Sequence, residues 1–309
     1  MKVRSNQAGA ALITAILITA IATIAAVAMA SRQHLDIRRT ANVIESSQAY
    51  LFALGAEEWG KQVLVRDRLD NQIDHLEEDW ATSLPPIEVE GGRVAGQIED
   101  LQGRFNLNNL VKDKQTSPLD MDRLQRLLQQ LGLDEELRFA ILDWIDEDAD
   151  VTIPGGAEDF SYLGLEPPYR TPNAMMVSTS ELLLVKGIDR GIYDTLAPYV
   201  TVLPEYTDIN VNTASVEVLM AVVNGLTQSE ADDLIDGRDT DGYASVGDFA
   251  GHAAVAGRLS SNEGLSVATK YFIINAASEF GRSSTNLYSL VVRDENANVE
   301  VAMRAQGVY

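Results

Sequence analysis

No side chain is charged between Ala10 and Ser31, the longest apolar stretch of the chain. As a helix rising about 1.5 Å per residue, Ala10 to Ala30 spans roughly 31 Å, close to the roughly 30 Å hydrocarbon core of a bilayer. Lys2 and Arg4 precede it, so the positive-inside tendency keeps residues 1–9 in the cytoplasm and carries everything after Arg32 across the membrane. From Arg32 to about Val65 there is no proline. Leu35, Val43, Ile44, Tyr50, Leu51, Leu54, Trp59, Val63 and Leu64 recur there at helix-like gaps. This predicts that the helix continues as an amphipathic rod whose inner face packs on a sheet. The charged run from His34 to Arg39 reads as a solvated helix face, with an interfacial anchor as the alternative. Pro85-Pro86 excludes helix at that point.

The pattern then changes to strand alternation. Ile87-Glu88-Val89-Glu90 alternates, Gly91-Gly92 can turn a hairpin, and Val94 to Leu101 runs back towards Phe105-Asn106-Leu107-Asn108. Near the other end, Tyr271 to Ala277, Leu287 to Arg293 and Val299 to Gln306 read as a short antiparallel meander. Strands before residue 110 and after residue 270, around a helical middle, imply one sheet interrupted by an insertion. The middle holds a weak repeat: Phe105-Asn106-Leu107-Asn108-Asn109 matches Ile209-Asn210-Val211-Asn212-Thr213. In the second copy Asn212 or Thr213 would cap a helix starting near Ala214, with Glu217 supporting its first turn. Val222 to Thr227 then turns into Ala231 to Ile235. An earlier hairpin joins Glu181–Ile188 to Ile192–Leu196 and closes at Pro198.

Charge narrows the function. There are 24 Lys and Arg against 46 Asp and Glu, a net charge of -22. So acidic a body repels nucleic acid and tolerates divalent metals. The absence of cysteine excludes disulfides, thiolate zinc sites and cysteine nucleophiles. His34, His75 and His252 lie far apart in the chain, and a lone histidine is more often packed or solvated than catalytic.

Three readings fit the N-terminal segment. Ala28-Met29-Ala30 before Ser31 has the small-x-small form of a signal-peptidase site, although the apolar run exceeds the usual h-region. An uncleaved anchor is the second. The third rests on the basic leader that ends in Gly9 before the long apolar helix, which resembles the class 3 leader of type IV pilins and type II secretion pseudopilins. In that family a membrane aspartyl peptidase cuts after the glycine and the new amino group is methylated, which makes Ala10 the mature N-terminus. Most members carry Glu at the fifth mature position. Here it is Thr14. Within the family that departure resembles the type II secretion minor pseudopilin K group.

The resemblance implies an α+β fold: a pilin-like N-terminal transmembrane helix packed on a small antiparallel sheet, interrupted by a large all-α insertion with SAM-like or helix-hairpin-helix units. The corresponding division is leader 1–9, transmembrane helix 10–31, first pilin-like part 32–111, all-α insert 112–269 and last strands 270–309. It further implies a single-pass inner-membrane protein with a periplasmic body, processed by the prepilin peptidase. Its partners would be the minor pseudopilins I, J and H and the major pseudopilin G. Leu12, Ile13, Thr14, Ile16 and Leu17 would form the assembly helix, and a subunit without the fifth-position Glu suits the fibre tip. The hairpins also resemble exported DNA-binding modules. Glu230, Asp232, Asp233, Asp236, Asp239 and Asp241, with Arg238 as the nearby cation, oppose a phosphate-binding face and make the hairpins packing units with no nucleic-acid role.

The densest chemistry lies between residues 140 and 173. Asp143-Trp144-Ile145-Asp146-Glu147-Asp148-Ala149-Asp150 leads into Gly155-Gly156-Ala157-Glu158-Asp159 and Pro167-Pro168-Tyr169-Arg170-Thr171-Pro172-Asn173. Carboxylates massed at a helix C-terminus oppose the dipole and one another. Asp146, Asp148, Asp150, Glu158 and Asp159 with loop carbonyls could supply the six to eight oxygens that calcium takes, without EF-hand spacing. Spacing alone serves a solvated acidic loop equally well. These elements also resemble the most recognisable block of the K group, for which bound calcium is known, and that resemblance implies a calcium site here. A glycosidase pair from Asp143 or Asp146 with Glu158 is the enzymatic alternative. No nucleophile elbow or phosphate-cradling loop accompanies it, so no enzyme activity is expected.

Overall fold

The computed structural model describes residues 8–83, 85–238, 241–259 and 261–307. Lys2, Arg4 and Asp239, which the sequence singles out, lie outside the described residues. Helix α1 runs unbroken over Ala8–Asp70 and therefore includes Gly9. Among the described residues it is the helix apolar and long enough to cross a membrane, and none of its most apolar window is buried. Leu12, Ile13, Ile16 and Leu17 are all exposed there. The Thr14 hydroxyl donates to the carbonyls of Ala10 and Ala11 at 3.1 and 3.0 Å. Back-bonding of this kind lets a polar side chain sit on an apolar helix.

The other half of α1 lies on a five-stranded antiparallel sheet, and its contact face differs from the one expected. Ala49, Ala53, Glu57, Gly60 and Leu64 are the residues turned inward, whereas Leu35, Val43, Ile44, Leu51 and Trp59 are exposed. Small residues dominate because the backbones approach closely: a Cβ on Gly60 would lie 3.2 Å from the Ile274 side chain. The sheet comprises β1 (Ile87–Val89), β2 (Gly92–Asp100), β3 (Tyr271–Phe280), β4 (Ser283–Arg293) and β5 (Val299–Gln306), in that spatial order. Gly91, at φ +85°, turns β1 into β2. The expected meander is present, but β3 and β4 reach further than their apolar stretches suggest. They meet in a tight turn at Gly281-Arg282, with Phe280 opposite Ser283. Leu64, Trp80, Ile98, Phe272, Ile274 and Val291 form the core under α1, where each fully buried large side chain contributes about 1.5–3 kcal/mol.

β2 ends at Asp100 and β3 begins at Tyr271, and the two strands are hydrogen-bonded neighbours. Everything between them forms a second body with its own large core. It is mainly helical: α2 (Pro118–Gln130), α3 (Leu137–Ile145), α4 (Asp159–Tyr162), α5 (Arg190–Leu196), α6 (Val216–Val222), α7 (Gln228–Asp236) and α8 (Val246–Gly251). The all-α expectation needs correction, since two-residue ladders occur inside it. Phe105–Asn106 pairs in parallel with Val200–Thr201, Ile209–Asn210 with Leu265–Ser266, and Val111–Lys112 turns back on Gln115–Thr116. Phe105 to Leu110 accordingly pack into this body and not into the sheet.

The repeat detected in the sequence is a repeated device. Asn106 Oδ1 accepts from the Asn108 amide at 3.1 Å, and Asn210 Oδ1 accepts from the Asn212 amide at 3.0 Å. The second asparagine of each copy then clips a distant backbone at both its N–H and its carbonyl. Asn108 holds Met176 at 2.9 and 3.0 Å, and Asn212 holds Tyr243 at 2.7 and 3.1 Å. Asn212 is therefore a clip and not a cap: Ser215 caps α6, accepting from the Val218 amide. Thr227 and Glu230 form a capping box at the start of α7, after a turn with Gly225 at φ +68°.

Candidate metal centre

Helix α3 buries nearly every side chain from Leu137 to Ile145 and stops at Asp146, whose amide bonds the Leu142 carbonyl at 2.9 Å. The loop that follows is folded back by Asp143, which accepts from the Thr152 amide at 3.1 Å. Gly156 is required there, because a Cβ would come within 2.3 Å of Asp143 Oδ2. Glu158 is thereby delivered beside Asp146 and Asp148. One carboxylate oxygen from each of the three lies within 4.8 Å of the others. On the far side, Tyr162 of α4 packs edge-on to Trp144 at 5.5 Å and stacks near Tyr169 at 5.2 Å, which fixes the Pro-Pro-Tyr-Arg strap. That strap brings in Thr171, whose hydroxyl donates to Glu158 Oε2 at 3.0 Å, and Asn173, whose amide donates to the Asp148 carbonyl.

Three buried oxygens in this cluster have no hydrogen-bond donor: Asp146 Oδ1, Glu158 Oε1 and Asn173 Oδ1. Buried acceptors left without partners are rare, and three together leave room for a cation or for ordered water. Burial, with Asp148, Asp143 and Glu158 nearby, pushes the Asp146 carboxyl up to about 7. Burial also raises Glu158. The donor set is wholly oxygen, from three carboxylates and a side-chain amide, which suits a hard divalent cation.

The other two expected ligands stand apart from this set. Asp150 is exposed and gives only its amide, to Asp148 Oδ1 at 2.8 Å. Asp159 already has a cation, Arg170 at 2.9 Å, and also accepts from Thr171. Asn173 is the residue that sequence reasoning passed over. Its φ of +45° and its return from 25 residues beyond Asp148 are products of the fold.

A second group, Asp67, Asp74 and Glu78, is equally close-set. There a cation is already supplied: Arg293 bonds Asp67 at 2.7 Å and also Asp74. The α6–α7 hairpin differs from the sequence picture in its cations. Arg238 is buried and bonds the Ala214 carbonyl, while the fold brings Arg258 onto Glu230 in a two-pronged pair at 2.7 and 2.8 Å.

Comparison with known proteins bears on the whole chain. Two family models described as type II secretion system (T2SS), protein K match residues 103–205 and 209–268. The type II secretion system protein K of Pseudomonas aeruginosa is 36% identical across 98% of this chain and 94% of its own length. That of Klebsiella pneumoniae is 32% identical across 98% of both. Among solved structures, the GspK–GspI–GspJ complex of the enterotoxigenic Escherichia coli type 2 secretion system contains a chain that superposes with a TM-score of 0.80. That chain is 27% identical and matched over its full length, covering 88% of this one.

Proposed function

The chain belongs to the type II secretion system protein K family, with a minor pseudopilin's role in protein secretion, and on that premise we propose that it caps and nucleates the tip of the periplasmic pseudopilus. The observation that carries this reading is the contrast between two surfaces. The start of α1, from Ala10 to Ala30, exposes an unbroken apolar cylinder, and its last part, from about Ala49, packs onto a sheet that bears a helical body. An apolar cylinder of that length is stable in a bilayer or against similar helices. Removal of the leader after Gly9 by the prepilin peptidase, with methylation of Ala10, would leave that helix free to dock in a bundle. Thr14 bonds its own backbone where most relatives of the pilin type carry Glu. No carboxylate then waits for a neighbour's amino terminus, which suits a subunit with company on one side only.

The partners follow from the solved relative, which is a complex with GspI and GspJ. We extend the set to the minor pseudopilin H and the major pseudopilin G. The body lies in the periplasm in this reading. It is neither an enzyme nor a nucleic-acid-binding protein.

Co-expression with the prepilin peptidase followed by N-terminal mass analysis tests processing. A chain beginning at methylated Ala10 is expected. One beginning at Ser31 would indicate a soluble exported protein, and an intact leader would refute processing. Replacing Leu12 and Ile16 by Asn should abolish co-purification with the I and J pseudopilins from detergent, and normal complex formation would sink the docking mechanism.

Calcium fits the oxygen cluster of the helical body. Asp146, Asp148, Glu158 and Asn173 would hold it, and it would supply the charge that the three orphan oxygens lack. Terbium added to the full chain in detergent should luminesce through Trp144, two residues from Asp146, and calcium should quench the signal. Asp146→Asn with Glu158→Gln is expected to weaken binding at least about 10-fold, in line with the loss of two carboxylate ligands. Equal luminescence from the double variant would refute the site.

A further inference from the structure

Where the helical body meets the sheet, carboxylates outnumber the cations that face them. Asp67 near the end of α1, Asp74 and Glu78 in the segment after it, and Asp100 at the end of β2 all enter this junction. Arg293, at the end of β4, faces two of them. It bonds Asp67 and Asp74, donates to the Thr269 carbonyl at 3.1 Å and lies 4.7 Å over the Phe272 ring. The ties to the helical body end on the acids. Asp100 Oδ2 accepts from Asn210 Nδ2 at 3.0 Å, from the Thr269 hydroxyl at 2.7 Å and from the Thr213 hydroxyl. Asp74 accepts the Thr269 amide at 2.7 Å, and its carbonyl accepts Asn210 Nδ2 at 3.0 Å. The remaining charged neighbours do little to offset them. His75 Nε2 stands 3.6 Å from Glu78, Lys270 is engaged by Glu205, and Asp208 offers only its carbonyl, to Gln102 at 2.8 Å.

We propose that this junction is a proton-operated latch: proton uptake by the set of Asp67, Asp74 and Asp100 clamps the helical body to the sheet, and full ionisation of that set loosens it. A single guanidinium offsets one negative charge, and further charges confined with it repel one another away from water. Burial, then Glu78, lifts the Asp67 carboxyl to about 7, and burial lifts Asp100 to about 6 and raises Asp74 as well. Folded carboxyls that hold protons more tightly than unfolded ones stabilise fully below their ordinary range. That stabilisation is lost as pH rises through about 6 and 7. The joint between shaft and head is therefore stiffest in mild acid.

Amide hydrogen exchange of the full chain in detergent, from pH 5 to 8 in calcium-containing buffer and corrected for intrinsic rates, reads the latch directly. Protection in peptides covering Asp74, Asn210 and Thr269 should fall as pH rises, by up to about 10-fold per pH unit for one proton released. A peptide around Ile274, under α1, should stay level. In Asp67→Asn and Asp100→Asn, which keep an acceptor without the charge, the slope should shrink. A flat profile in the native chain, an equal slope at Ile274, or an undiminished slope in folded Asp67→Asn would each overturn the latch. Because the native profile needs no substitution, a variant that misfolds leaves the test intact.

Discussion

Glu57 sits fully buried in the small-residue stripe of α1 and is met from across the sheet. Arg304 of β5 grips both its oxygens at 2.7 and 2.8 Å, and the Ser289 hydroxyl of β4 donates to one of them. Although burial pushes its carboxyl up, the bonds from Arg304 and Ser289 hold it below the usual value. Its contribution is therefore present above the ordinary glutamate range and fades as pH falls through its lowered value, opposite in sign to the junction acids. Glu57→Ala is expected to lower stability by about 1–3 kcal/mol, less than a wholly buried pair because Arg304 keeps one side in water. Urea unfolding in detergent measures it. At this scale the carboxylate cluster around Asp146 was partly legible. Asp146, Asp148 and Glu158 belong to a run that nothing but a cation or water could tolerate, and the sequence displays such runs openly. Asn173 was hidden because one asparagine in a proline strap has no signature until the strap folds over.

At the scale of elements, regular patterns read well and close contacts read badly. The hairpin at Gly91, the three C-terminal strands and the long helix were visible as alternation or period. The face of α1 was not. Large apolar residues mark a buried face only when partners stay about a side chain apart, and here Gly60 and the alanines let the sheet press nearer. The Asn-x-Asn copies were visible as a repeat, but their work became clear only with Met176 and Tyr243 in place. Asn212→Ala should leave the Tyr243 amide and carbonyl unsatisfied and destabilise the chain by about 2–6 kcal/mol, the sum for two buried groups. It should also speed hydrogen exchange between Tyr243 and Gly251 while leaving the sheet unaffected. Asn212→Asp keeps the acceptor and should recover part of the loss, which separates the clip from mere packing.

The whole molecule is a shaft and a head whose shared boundary carries ionisable groups. Its two-body plan followed from strands flanking a helical stretch, but the polar joint did not, since Asp67, Asp74, Asp100 and Arg293 are drawn from four separate segments. Asp100 stands opposite Phe272 in the ladder, so the head leaves and re-enters the sheet between adjacent strands. A chain in which residues 101–270 are replaced by an Asn-Gly turn should still pair β2 with β3 as an ordinary hairpin. Circular dichroism should show the α1–sheet unit folded, and terbium luminescence should vanish. Such an arrangement works like a bayonet socket: a two-strand fitting accepts or releases an entire ornament without retooling the spindle. Fibre proteins sharing one stem can in this way differ wholly in what they display at the summit.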